Sequence, residues 1–159
     1  MGLFKKKDKY LKAFTSCKII PITEVPDEVF AQKMMGDGIA IYPDNNIIVA
    51  PCDGKITAIM ENTEHAVGIT LANGVELLIH VGINTVELGG KFYTSHVTEG
   101  DRVRTGQVML TFDMEKIKEA GYDVTTPMIV TNSDDYQEIR ILKTGNVTKQ
   151  DAVLEIKES

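Results

Sequence analysis

Tryptophan is absent from the 159 residues, cysteine occurs twice and histidine three times. No apolar run approaches the roughly 20 residues that a membrane-spanning helix needs. Cys17 and Cys52 stand far apart, and no Cys-x-x-Cys occurs. Two cysteines make a poor disulfide framework for a chain this long, so a reducing cytoplasm is the expected setting. The first residues carry charge but lack the apolar core and cleavage site of a signal peptide, and none is read there. Asn146-Val147-Thr148 fits a glycosylation sequon, which in a cytoplasmic protein is expected to be chance.

What is present is the composition of an ordinary globular domain, 43% hydrophobic and 25% charged, at a length close to the prior of about 150 residues for one domain. The net charge is −6, but residues 1–20 carry +5 and the remainder −11. An acidic body argues against nucleic acid as the main partner, because phosphate contacts need clustered cations. Complementary charge steers it toward basic partner surfaces instead.

Residues 1–15 read as a basic tail and 16–159 as one domain. In the tail, Leu3, Phe4, Tyr10, Leu11 and Phe14 recur at helical spacing among Lys5, Lys6, Lys7, Lys9 and Lys12. A solvated, flexible tail is the plain reading, and an amphipathic contact with a membrane surface is the sharper one. Lys6 occupies the place where a myristoylation signal wants Ser or Thr.

From Ser16 onward, short Val- and Ile-rich runs are broken by Gly, Pro, Asp and Asn every 8–12 residues. That rhythm predicts an all-β antiparallel sandwich or barrel. The clearest hairpin joins Val67–Leu71 to Val75–Val81 through Ala72-Asn73-Gly74, since Asn-Gly between β-rich runs is a strong turn signal. Helical turns are expected only at Asp27–Gln32 and Met114–Ala120. Both are too short to cover a sheet, so the core is expected between sheet faces. Residues 99–108 echo residues 144–153, and that repeated pattern resembles the interlocked hairpins of biotinyl and lipoyl domains. The resemblance speaks for a barrel-sandwich, not for a function.

Of the three histidines, His80 is the informative one. In Gly74–Val86 the period-2 alternation places Leu77, Ile79 and Val81 on one face and Glu76, Leu78 and His80 on the other. His80 therefore leaves the sheet opposite the buried side, followed by Gly82, which leaves room for close approach.

Gly, two residues, three apolar residues, His, an apolar residue, Gly, an apolar residue, any residue, Thr and Val occupy the thirteen positions of Gly74–Val86. This resembles the phosphorylation-site motif of the glucose-type IIA domain of the bacterial phosphoenolpyruvate-dependent sugar phosphotransferase system. Residues 25–41, Val49-Ala50-Pro51 with Asp53-Gly54, Thr63 with His65-Ala66, and Thr85–Leu88 follow in family order. The resemblance covers roughly residues 20–156, and the opening Met1-Gly2-Leu3-Phe4 resembles the membrane-associating tail of some free-standing members.

The resemblance implies a cytoplasmic phosphotransferase component in which His80 carries the phosphoryl group on Nε2. Nδ1 would be held by a backbone carbonyl, here that of Gly82. It implies that His65 hydrogen-bonds the phosphoryl oxygens and that Thr63, two residues earlier, orients its ring. His96 matches no family position and is expected to be structural or exposed. The implied donor is the phosphohistidine carrier HPr, and the implied acceptor is a cysteine on the IIB domain of a sugar permease. Val29, Phe30, Met35, Met60 and Leu78 would form an apolar docking ring, with Asp27 as a rim acid. Asn84 stands where the family usually has a second acid, and Cys17–Glu24 lacks the family's first Ala-Pro…Gly turn. No cofactor is required, although His65 and His80 together offer Zn²⁺ two ligands, with a third lent by a partner protein.

Three other readings compete. A lipoyl or biotinyl carrier needs its lysine at a hairpin tip, and Lys116 in Asp113-Met114-Glu115-Lys116-Ile117 has the wrong neighbours. A zinc endopeptidase of related topology needs His-x-His, which the sequence lacks. A regulatory binding module, responding to phosphorylation state, is compatible with the carrier reading.

Overall fold

The computed structural model describes residues 10–12, 17–59, 64–71, 74–148 and 151–157. Among them, fourteen strands form three sheets in which every pairing is antiparallel. The largest sheet has eight strands. In spatial order they are β13 (Gly145–Val147), β2 (Cys17–Pro21), β3 (Asp37–Pro43), β11 (Thr126–Val130), β7 (Glu76–His80), β6 (Ala66–Thr70), β5 (Gly54–Ile59) and β9 (Arg102–Val103). A second sheet pairs β4 (Ile47–Val49), β10 (Val108–Phe112) and β8 (Tyr93–Ser95), and a third pairs β1 (Tyr10–Lys12), β14 (Ala152–Lys157) and β12 (Glu138–Ile141).

The all-β expectation holds. The two echoing sequence segments supply β9 and β13, which lie at opposite edges of the eight-stranded sheet. Among the described residues helix is confined to α1 (Glu28–Ala31), α2 (Met114–Glu119) and three single 3-10 turns. Asp27 and Asp113 start the two α-helical segments by accepting the amides of Val29 and Lys116, which satisfies donors left open at a helix start.

The main core lies between sheet faces. It gathers Ile39, Ile41, Ile79, Val81, Met128 and Val130 from the large sheet with Ile48, Leu110 and Phe112 from the second sheet. A smaller cluster of Ile22, Val25, Phe30, Ala40, Ile83 and Ile129 lies on the other side of the same strands. Ile39 and Ile41 belong to one cluster and Ala40 to the other, as period-2 alternation requires. β11 is consequently buried along its whole length, the pattern of a strand covered on both faces. The small cluster forms the platform on which the histidine region is built.

One expectation needs correction. Residues 1–15 do not all form a free tail, because Tyr10–Lys12 pairs with β14 and Leu11 is completely buried in the main core. Leu11 is thus unavailable to a membrane surface; Leu3, Phe4 and Phe14 lie outside the described residues. The segment that lacks the Ala-Pro…Gly turn forms a regular strand. β2 pairs in unbroken register with β3 from Cys17↔Pro43 to Pro21↔Ile39. Among the described residues no helix is long and apolar enough to cross a membrane.

Candidate functional site

The antiparallel pairing of β6 and β7 brings two histidines to one end of the sheet. Ala66 pairs with His80, and the Val81 amide donates to the carbonyl of His65 at 2.7 Å. The two imidazole rings meet edge to face, with centroids 4.5 Å apart and planes inclined by 80°. His80 is half-buried at the end of β7, on the face it shares with Leu78, as the alternation predicts. His65 is only 2% exposed. It precedes β6 instead of lying within it, after Glu64 at φ 47°. That left-handed residue interrupts strand geometry immediately before His65. Thr63 itself lies outside the described residues, as does Met60.

The atoms around His80 define its proton. Nδ1 lies 2.7 Å from the carbonyl oxygen of Gly82. A carbonyl oxygen only accepts, which assigns the proton of the neutral ring to Nδ1 and leaves the lone pair on Nε2. Burial pulls the His80 pKa below its usual value. The Gly82 carbonyl and the charge of Asp27 act in the opposite direction without reversing it. At neutral pH the ring is therefore mainly uncharged, the form in which Nε2 is a nucleophile.

The loop after β7 is built to present that carbonyl. Gly82 has φ +88°, and a Cβ there would lie 2.5 Å from the Thr85 methyl and 3.1 Å from the Asp123 oxygen. Both facts require glycine. The next amide, of Ile83, donates to the Asp123 carbonyl at 2.9 Å, and Ile83 is buried in the small cluster.

The expected docking residues divide. Val29 and Met35 are exposed at 42% and 39%; Leu78 is half-buried. Phe30 is 5% exposed and does not belong to an open ring. Its side chain belongs to the small cluster, and its ring lies 5.2 Å from that of His80, so it supports the histidine from below. Asp27 is committed to capping α1 through Oδ1, 2.9 Å from the Val29 amide. Asn84 is exposed at φ 60° and lines a surface depression with Glu87 and Asp123.

Sequence reasoning passed over Met34 and Val86, exposed apolar residues on the same two segments as Met35 and Asn84. It also gave no role to Thr85 and Tyr93, whose hydroxyls both reach the Val81 carbonyl. Thr85 stood inside the motif, whereas nothing local marks Tyr93. His96 is exposed and joins Thr111 through Nε2 at 2.9 Å, away from the pair. Lys116 lies within α2, not at a hairpin tip, so a lipoyl-type carrier has no acceptor there.

Zinc would find two nitrogen donors in His65 and His80. Among the described residues no group of three or more His, Cys, Asp or Glu converges. A tetrahedral ion would need further ligands besides these two donors among the described residues.

The sequence model of the family described as "phosphoenolpyruvate-dependent sugar phosphotransferase system, EIIA 1" matches residues 9–136. A glucose-specific EIIA component from Oceanobacillus iheyensis is 40% identical over 152 residues, covering 92% of each chain. A β-glucoside-specific EIIBCA component from Bacillus subtilis is 46% identical over 133 residues, covering 84% of this chain and 22% of the longer protein. The chain thus spans about a fifth of such multidomain relatives. Among solved structures, glucose permease IIA from Mycoplasma capricolum superposes with a TM-score of 0.85 at 36% identity, covering 91% of this chain and 93% of the other.

Proposed function

The chain belongs to the EIIA 1 family of the phosphoenolpyruvate-dependent sugar phosphotransferase system, and on that premise we propose that His80 is the residue through which it carries the phosphoryl group. Its role as a glucose-type phosphocarrier follows from family, relatives and fold together. The observation that supports His80 is the 2.7 Å contact between its Nδ1 and the Gly82 carbonyl, which leaves Nε2 unprotonated.

In the proposed cycle, phospho-HPr presents a phosphoryl group bonded to a ring nitrogen. The Nε2 lone pair of His80 attacks phosphorus as the donor N–P bond breaks, and that bonding pair returns to the donor ring. His80 gains positive charge as the Nε2–P bond forms, and the Gly82 carbonyl stabilises it through the Nδ1–H it accepts. His65, whose ring meets that of His80 edge to face, would donate a hydrogen bond to the phosphoryl oxygens. Phosphoryl transfer rests mainly on positioning and charge stabilisation, and both are fixed here by backbone. In the second half, a cysteine thiolate of a IIB domain attacks phosphorus; an S–P bond forms, the Nε2–P bond breaks, and its electrons return to His80. Fusion of homologous domains to IIB and IIC in the β-glucoside relatives supports that acceptor.

Val29, Met35 and Leu78, with Asp27 and Asn84 beside them, are the proposed contact residues for both partners. Zinc takes no part in this cycle; with two donors here, it would bind only where a partner completes the site. Regulation of other proteins by phosphorylation state would use the same surface.

Intact mass after incubation with phosphoenolpyruvate and the two general phosphotransferase proteins tests the proposal. Wild-type protein should gain one acid-labile phosphoryl group and lose it when a cognate IIB domain is added. His80→Ala should gain none, and a phosphoryl group that persists in His80→Ala would overturn the assignment.

A further inference from the structure

The Val81–Gly82 link is held by groups outside the histidine pair. The Val81 carbonyl accepts two hydrogen bonds, from Thr85 Oγ1 at 2.7 Å and from the Tyr93 hydroxyl at 2.8 Å. The amide of Val81 donates to the His65 carbonyl, also at 2.7 Å. Both polar ends of this residue are therefore fixed, and its side chain is fully buried. The next carbonyl along the chain is the one that holds His80 Nδ1.

Tyr93 comes from a different sheet. It is 6% exposed, sits in β8 opposite Phe112 of β10, and stacks on Phe112 with ring centroids 6.4 Å apart. Thr85 is fully buried in the 3-10 turn Thr85–Leu88. Both hydroxyls reach the Val81 carbonyl and not the His80 ring. What they fix is the plane of the peptide joining Val81 to Gly82, and through it the start of the left-handed turn at Gly82. One carbonyl oxygen has two lone pairs, and here both are used.

We propose that Tyr93 and Thr85 are positioning residues for phosphoryl transfer: by clamping the Val81 carbonyl they hold the Gly82 carbonyl on His80 Nδ1, which keeps the Nε2 lone pair available. The inference rests on His80 being the acceptor. Burial pushes the Tyr93 phenol up to about 12, against an opposing effect of the Thr85 hydroxyl, so the phenol remains a donor throughout the working pH range. A tyrosine does more than a phenylalanine here. Phenylalanine would keep the stacking on Phe112 but leave the second lone pair of a buried carbonyl unfilled.

The test compares Tyr93→Phe, Thr85→Val and the double variant, each nearly isosteric. Ring ¹⁵N shifts of unphosphorylated His80 report its tautomer, and single-turnover transfer from phospho-HPr reports rate. Wild type should show the Nδ1–H form. Each single variant should admit a measurable Nε2–H fraction and slow transfer severalfold. The double variant should show a larger Nε2–H fraction and slow transfer by roughly 25-fold, about fivefold for each hydrogen bond to the buried carbonyl. Val153→Ala, in the fully buried part of β14, supplies a destabilised control that should leave tautomer and rate unchanged. A folded Tyr93→Phe with wild-type tautomer and rate overturns the role of Tyr93; an equal tautomer shift in Val153→Ala overturns the specific clamp. The tautomer is read before any phosphorylation. Failure of His80 as acceptor would therefore show separately, as labelling of another residue in wild type.

Discussion

The Val81 amide and the His65 carbonyl are hydrogen-bonded at 2.7 Å, and this one bond couples the two imidazoles. It pins the backbone of His65 to the residue after His80. The edge-to-face ring geometry is thereby set by β6–β7 register instead of by flexible side chains. A site built on paired strands holds its geometry without needing to assemble it at the moment of transfer.

Gly82→Ala is predicted to damage chemistry beyond its effect on stability. The substitution forces a Cβ into the Thr85 methyl at a φ of +88°, a strain worth about 1–3 kcal/mol. Relief would rotate the Gly82 carbonyl away from His80. Chemical denaturation should show that loss, and transfer measured on folded protein should fall by a further tenfold or so. Wild-type transfer in the folded variant would contradict the role given to the carbonyl.

Acid should weaken the fold partly through His80. Burial lowers its folded-state pKa, while the unfolded chain titrates near the ordinary value of about 6.5. Above that value both states are neutral and His80 contributes no pH dependence. As pH falls below about 6.5 the unfolded state takes up the proton first, so stability declines until the folded-state pKa is passed. Urea unfolding of wild type and His80→Gln between pH 7.5 and 5 should give a shallower decline in the variant. Equal slopes would count against a buried, neutral His80.

The buried position of Leu11 gives a separate stability prediction. Leu11→Ala removes a fully buried side chain from the main core and should cost about 2–5 kcal/mol. Tyr10→Ser, at a position 42% exposed, should cost less than about 0.5 kcal/mol. Comparable small losses for both would mean that the β1–β14 pairing is not part of the folded unit.

Much of this arrangement was legible in the sequence, for reasons that can be named. Alternation along Glu76–His80 placed His80 on the correct face because β7 is a regular strand. The helical turns expected at Asp27–Gln32 and Met114–Ala120 match α1 and α2 to within a residue at each end, because what starts them, the Asp27 and Asp113 caps, is local. What escaped depends on contacts between distant residues. Leu11 fell into a helical pattern with Leu3, Phe4, Tyr10 and Phe14 in a lysine-rich segment, and nothing local reveals that it pairs with β14. Phe30 was placed in the docking ring by the resemblance, beside Val29, and only the small cluster beneath His80 decides which of the two is buried. Tyr93 reaches Val81 from another sheet, which no local pattern records.

Asn84→Asp is expected to change encounter instead of chemistry. Asn84 is exposed beside Glu87 and Asp123, and a charge added at a rim acts mainly on association rate. Restoring one acid should be worth about 0.2–1 kcal/mol, up to roughly fivefold, toward a basic donor. The second-order rate of transfer from phospho-HPr should rise at low salt and converge on wild type as salt increases, with the saturated rate unchanged. A variant slower at every ionic strength would mean that Asn84 makes a specific hydrogen bond to the donor.

The most direct measurement is phosphorus–nitrogen correlation by NMR on ¹⁵N-labelled protein phosphorylated through phospho-HPr. The geometry around Gly82 and His80 predicts one phosphoryl group, bonded to Nε2 of His80, with Nδ1 still protonated toward the Gly82 carbonyl. Phosphorus bonded to His65, or to Nδ1 of His80, would contradict the account.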